Sequence, residues 1–302
     1  MQIENHKEEV PFGYYEERFR ALDPQAAVKR LPDVSWDGAE FTVTLLGRTF
    51  AIAHPDYAIR ALDDGKLPPL PTQTFFNLRY PFWHDKGLKI SKCEMTELCR
   101  AALWYSEDVT ITDSKLHGIK ALRECGNVTM GGCDVISAEF GWSTRGIAMT
   151  DCTVQGEYFM LRSNHLNLNN VHLKGKYSFQ YIEDSLFDHC VFDTKDAFWH
   201  AKNVTVRNSV VKGEYLAWYC ENVTFENCKI IGTQPLCYCK GLKLENCEMV
   251  DTDLSFEKSE VEATLTAPIL SIKNPLAGHI YVPSVGDLIY DDENAKGIVT
   301  TE

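Results

Sequence analysis

The chain has 302 residues, 44% hydrophobic and 24% charged, with a formal net charge of −13 and a pI near 5.2. That acidity excludes a nucleic-acid partner, whose phosphates call for a basic face, and disfavours anionic membranes. No apolar run approaches the length of a membrane span, and the opening MQIENHKEEV has no signal-peptide pattern. The eleven cysteines, an odd number, therefore point to a reduced, cytoplasmic chain.

Residues 1–70 follow no period. Residues 14–22 read as a helix, and Asp23-Pro24 pairs an N-cap with proline at N1 to open a second helix to Leu31. Residues 41–46 and 49–53 alternate around Gly47-Arg48, the pattern of a hairpin. A further helix is expected over 55–62. Residues 66–71, KLPPLP, are stiff, and 71–76 link this segment to the rest of the chain. The segment is a small α+β module or a cap over an open sheet edge.

From Val109 the chain repeats every nineteen residues. Val109, Val128, Ile147, Leu166, Ser185, Val204, Val223, Leu242, Val261 and Ile280 form one column. Columns two, five and seven residues on start at Ile111, Ser114 and Leu116 and are apolar or small. Offsets of two are strand alternation, and a fixed period of this size means one structural unit stacked on the next. Asp113, Gly132, Asp151, Asn170, Asn208 and Asn227 precede the third column and suit a tight corner. Gly118, Gly156, Gly175, Gly213 and Gly232 mark a second corner. The expected fold is an all-β solenoid, a right-handed parallel β-helix over 77–285 with about ten coils of roughly 4.8 Å each, and a C-terminal tail over 286–302. Charges alternate in sign at the repeat, as in Glu183, Lys202, Glu221 and Lys240, which stacking favours. Five cysteines share the column of Ser114 and act as small apolar filler. Regular stacked thiols do not converge tetrahedrally, so neither a metal nor another cofactor is expected.

The third strand of each coil is unusual. Trp83, Trp104, Trp142, Trp199 and Trp218 share a column with Arg123, Leu161, Gln180, Cys237 and Phe256. The next column holds His84, Tyr105, Arg162, Tyr181, His200, Tyr219 and Tyr238. On a regular strand the two columns face opposite sides. Small residues beside the tryptophans favour Trp inward, while Arg123 and Gln180 in the same column argue the other way; with that opposite parity, ligand contacts would centre on Trp142, Trp199 and Arg123. With Trp inward, Met160, Phe179 and Phe198 point outward, with Tyr158, Tyr177 and Tyr215.

The segments FNLRYPFWHD (76–85), CRAALWYS (99–106), LHGIKALREC (116–125), GKYSFQY (175–181) and DAFWH (196–200) resemble an uncharacterised bacterial family of right-handed β-helix proteins. That family shares the architecture of the pectate-lyase-like superfold. The resemblance runs over 76–285 and implies the fold, with no activity attached. Residues 14–24 with 41–48 resemble the opening of another uncharacterised bacterial domain, in truncated form.

An aromatic outer face studded with charges suits a partner surface, a second copy of the chain or a carbohydrate. The expected binding residues are Arg100, Lys120, Arg123, Arg162, Tyr177, Tyr181, Asp196, His200, Tyr219 and Tyr238. A binding or assembly scaffold is the leading reading. Its rival is a cytoplasmic polysaccharide lyase or glycoside hydrolase using Glu139, Asp196 or His200 as acid and base. The chain contains no Gly-rich phosphate loop, nucleophile elbow or HExxH motif.

Overall fold

A strand that buries alternate side chains still has two polar edges to satisfy. In this computed structural model each strand satisfies them with its equivalents one coil away. The structure describes residues 34–36, 40–45, 48–53, 59–61, 75–76 and 79–301. The chain divides into two compact units, 1–68 and 69–302.

In the larger unit Val109 pairs with Val128, Val128 with Ile147 and Ile147 with Leu166, all parallel. Twelve such strands stack from Lys89–Ser91 to Ile298–Thr301. A second parallel ladder runs from Leu116 through Val135, Val154 and Leu173 to Phe192. The unit is a parallel β-helix with 19-residue coils. Val128, Met130, Cys133 and Val135 are all buried, so the four repeating columns line its core.

The corners follow from residue type. Asp113, Asp151, Asn170, Asn208 and Asn227 have positive φ, as the first corner needs. Their amides also stack: Asn227 Nδ2 donates to Asn208 Oδ1 at 3.2 Å, and Asn246 Nδ2 to Asn227 Oδ1 at 2.8 Å. At the second corner, glycine is required by contact between coils. A Cβ on Gly175 would lie 1.8 Å from the carbonyl oxygen of Gly156, and one on Gly118 1.9 Å from that of Cys99.

Stacked charges pair as expected. Glu183 lies beside Lys202 and Lys202 beside Glu221, and Lys202 Nζ is 3.3 Å from Glu221 Oε2. All eleven cysteines are free and buried. Several are more than apolar filler, because their thiols donate weakly to backbone carbonyls of the coil below. Cys228 Sγ reaches Val206 O at 3.3 Å and Cys247 Sγ reaches Phe225 O at 3.3 Å. Serines of the same column donate to the carbonyl two residues earlier in their own coil, as Ser209 Oγ does to Arg207 O at 2.6 Å, and Cys228 Sγ makes the same contact to Glu226 O at 3.3 Å, which explains why Ser and Cys interchange.

The period gives way at both ends. The first coil is longer, with Ile90 beside Ile111. Near the other end Val261 pairs with Gly278, so Ile280 sits beside Ala263 and not beside Val261. The coils also run past residue 285. Val285–Ile289 pairs with Ile269–Lys273, and Ile298–Thr301 pairs with Ala277–Val282. Backbone pairing needs no aliphatic column, so these strands stack although the sequence pattern has faded. The expected tail from 286 is corrected accordingly, and the stack has more than ten coils.

The smaller unit contains an antiparallel sheet of β1 (Val34–Trp36), β2 (Glu40–Leu45), β3 (Arg48–Ala53) and β4 (Ile59–Ala61), in that order. The hairpin joins Leu45 to Arg48 as anticipated. The helix expected over 55–62 is contradicted, since β4 pairs with β3. Cross-strand pairing overrides a weak local preference there. The helices expected over 14–31 lie outside the described residues. Among the described residues no helix is long and apolar enough to cross a membrane.

Candidate functional site

The third segment of each coil departs from a regular strand. Its backbone turns left-handed at alternate residues: Tyr177, Phe179 and Tyr181 in one coil, Asp196, Phe198 and His200 in the next, then Tyr215, Ala217 and Tyr219. Such residues cost roughly 1 kcal/mol or more each and persist only when their surroundings hold them. Hydrogen bonds between coils do so here. Tyr177 N–H donates to Lys195 O above at 2.9 Å, Phe179 N–H to Phe159 O below at 2.8 Å, and Tyr181 N–H to Trp199 O above at 2.8 Å.

This alternation changes which side chains face out. Neighbours go the same way in pairs: Ala197 and Phe198 are both buried, and Trp199 and His200 both face outward, half-buried. The expectation that the tryptophans point inward is therefore wrong, as is the outward placement of Met160, Phe179 and Phe198, which are fully buried. Phe256 also leaves the tryptophan column. That coil carries one extra residue, so Glu257 takes the position and Phe256 joins the core.

The outward tryptophan column has an internal logic. Trp142 Nε1 donates to Tyr158 O at 2.7 Å, Trp199 Nε1 to Tyr215 O at 2.7 Å and Trp218 Nε1 to Gln234 O at 2.8 Å. Gln180 Nε2 does the same to Asp196 O at 2.8 Å. Each satisfies a carbonyl of the next coil, so Trp and Gln share the column as N–H donors. Arg123 fits differently. Its guanidinium lies 4.9 Å from the Trp104 ring and 4.6 Å from the Trp142 ring, a cation held between two π faces. Trp199 and Trp218 stack at 5.3 Å and 4°.

Beside it runs a second ladder. Tyr181 and His200 stack at 4.7 Å, His200 and Tyr219 at 5.1 Å, and Tyr219 and Tyr238 at 4.9 Å, all within 13° of parallel. Rings stacked this way cover each other's faces and turn their polar rims to solvent. Tyr181 is 47% exposed and Tyr219 43%. Burial and the nearby Glu257 carboxylate push the Tyr238 phenol above its ordinary value, so it keeps its proton. Arg162 lies at the lower end, 5.8 Å from the Tyr181 ring, and Arg100 is exposed nearer the first coil.

The acid–base candidates are dispersed. Glu139 Oε2 is held by Lys120 Nζ at 3.1 Å and Arg123 Nη1 at 3.6 Å. Asp196 lies three coils from Glu139, roughly 14 Å at the coil spacing, beyond the separation used by paired glycosidase carboxylates. A further carboxylate, Asp193, faces out from the second sheet, 3.8 Å from Lys212 Nζ. His200 is clasped between two tyrosine rings. Among the described residues no group of three or more His, Cys, Asp and Glu side chains could hold a metal. Trp218 and Gln180 belong to the face although they were not among the expected binding residues, and Trp199 was expected there only under the opposite strand parity. The signal for them was the shared N–H donor in one column.

A family model described as "Protein of unknown function (DUF3737)" matches residues 70–301, the whole coiled stack. The chain belongs to the DUF3737 family. No curated protein matches it. Among solved structures, tailspike protein 3 of bacteriophage CBA120 aligns with 81% of this DUF3737 chain at 8% identity and a TM-score of 0.35. The alignment spans 54% of the tailspike chain.

Proposed function

We propose that the coiled unit is a non-catalytic binding scaffold whose third face holds an extended, hydroxyl-rich ligand, a glycan. The observation that carries this reading is the pair of adjacent outward columns, one of indoles and one of stacked tyrosine and histidine rings. Two neighbouring aromatic columns on one exposed face exceed what a solvated sheet ordinarily carries. The rims of the second ladder offer tyrosine hydroxyls and an imidazole at a repeat of about 4.8 Å. A polyol chain with a regular repeat can meet such a row along its length. The separation and ion pairing of the carboxylates favour binding over glycoside cleavage.

Isothermal titration of the intact chain with cellohexaose, xylohexaose, mannohexaose and maltohexaose tests this. At least one should bind. The double variant Tyr181→Ala/Tyr219→Ala should weaken it roughly tenfold or more while keeping the β-sheet circular dichroism spectrum. Binding by none of the four, or undiminished binding in the folded double variant, contradicts the proposal. So would a dimer that dissociates only in the double variant, which assigns the face to self-association.

A further inference from the structure

The two outward ring columns share a property besides their aromaticity. Between Trp142 and Trp218 the first holds Leu161, Gln180 and Trp199. Beside it run Ser143, Arg162, Tyr181, His200, Tyr219 and Tyr238. Neither stretch contains an Asp or a Glu, although the chain carries a net charge of −13. The lane is thus free of carboxylates on a strongly acidic protein, and it holds one guanidinium.

Arg162 is unlike the other cations of the face. Lys120 Nζ is 3.1 Å from Glu139, Lys176 Nζ 3.0 Å from Glu157 and Lys195 Nζ 3.4 Å from Glu214, and Arg123 lies between two indoles. Among the described residues Arg162 has no ion pair, and its guanidinium makes no hydrogen bond. It stands where the ladder of rings stops. His200 covers the upper face of Tyr181 at 4.7 Å, and Arg162 takes the next position down, 5.8 Å from the ring. The residue beneath it, Ser143, is small. Ser143, Arg162 and Tyr181 are all exposed, so solvent reaches the guanidinium and the phenol beside it.

We infer that Arg162 anchors a single acidic sugar at one end of an otherwise neutral glycan, with the neutral sugars following the ring columns towards Tyr238. The inference rests on the proposal that this face binds a glycan and names its class. A guanidinium offers two parallel N–H donors that match a planar carboxylate, and a charge-assisted pair of this kind is stronger than a neutral hydrogen bond. From Arg162 to Tyr238 is four coil steps, about 19 Å, along which only neutral rims and ring edges are presented. One cation matches one carboxylate. Each further carboxylate of a polyuronate would lose hydration against the rings without gaining a partner, and would add to the repulsion from an acidic chain. A wholly neutral glycan meets the same rings but leaves the guanidinium unused.

Arg162→Gln tests it, a change at an exposed side chain that leaves the core alone. The probes are the best-binding of the four neutral hexasaccharides above, the same chain carrying one carboxylate at its non-reducing or its reducing end, and a mannuronate hexamer. Isothermal titration at low ionic strength should show one of the two singly charged chains binding wild type roughly fivefold or more tighter than the neutral one. Arg162→Gln should erase that gain and leave the neutral hexasaccharide within about twofold of its wild-type affinity. Added salt should shrink the gain in wild type. The mannuronate hexamer should bind no better than the favoured singly charged chain. A gain at neither end, or a gain that survives in Arg162→Gln, overturns the inference; if the neutral hexasaccharide is still lost in Tyr181→Ala/Tyr219→Ala, the face reading stands. A mannuronate hexamer that binds tighter than both singly charged chains also overturns it. Binding of no hexasaccharide, neutral or charged, overturns both.

Discussion

Single residues carry two of the sharpest consequences of this fold. Asp85 is 6% exposed, and burial raises its carboxyl to about 7 from an ordinary 3.8. A raised acid favours folding while it stays protonated. Stability is unaffected below pH 4, where both states are protonated, falls as pH rises towards 7, and is then lower by up to about 4 kcal/mol. Asp85→Asn should therefore be more stable than wild type at pH 8 and nearly equal to it at pH 4, as urea unfolding at the two pH values would read. A wild-type-like midpoint at pH 8 would contradict this. Gly175 makes the second case. Alanine there would drive its Cβ into the Gly156 carbonyl, so Gly175→Ala should cost about 2–3 kcal/mol. Gly131, whose Cβ would meet nothing within 4 Å, should accept alanine almost without change. Equal urea midpoints for the two variants would refute the close corner contact.

At the scale of the element, the third segment separates what was legible in the sequence from what was not. The aliphatic columns at Val128 and Met130 showed the strands and their register, because burying one face imposes a period of two. The corners were legible too, since Asp151 and Asn170 are residues that favour positive φ. Nothing similar marks the third segment. Most of its left-handed positions are Tyr, Phe, Met, Ala, Lys or Glu, which have no such preference, so a regular strand parity is expected there, and it is wrong for Trp199 and Phe198. The aromatic content marks the face, and the residues named as binding candidates mostly lie on it, but the side each column presents depends on backbone pairing between coils. The two neighbours should accordingly respond differently to alanine. Phe198→Ala opens the core and should cost about 3–5 kcal/mol. Trp199→Ala gives up one hydrogen bond and one ring stack at the surface, about 1–2 kcal/mol. Denaturant unfolding of both variants checks the order, and a reversed order would restore an inward tryptophan.

For the coiled unit as a whole, the stack buries its thiols in the core and turns the aromatic third face, which we propose binds a glycan, outward. Burial lifts the Cys99, Cys125 and Cys190 thiols to about 11 and Cys237 to about 12, so they remain protonated and poorly nucleophilic near neutral pH. Native protein should react with few maleimide equivalents, and unfolded protein with all eleven thiols. Fast labelling of most thiols in the native state would contradict a closed coil. Binding at that outward face is the central claim, and oxidative footprinting with and without the best-binding neutral hexasaccharide tests it most directly. Protection should concentrate on Tyr177, Tyr181, Trp199, Tyr215 and Tyr219. No protection there, or protection on the first sheet around Thr129 and Thr205, would contradict the account.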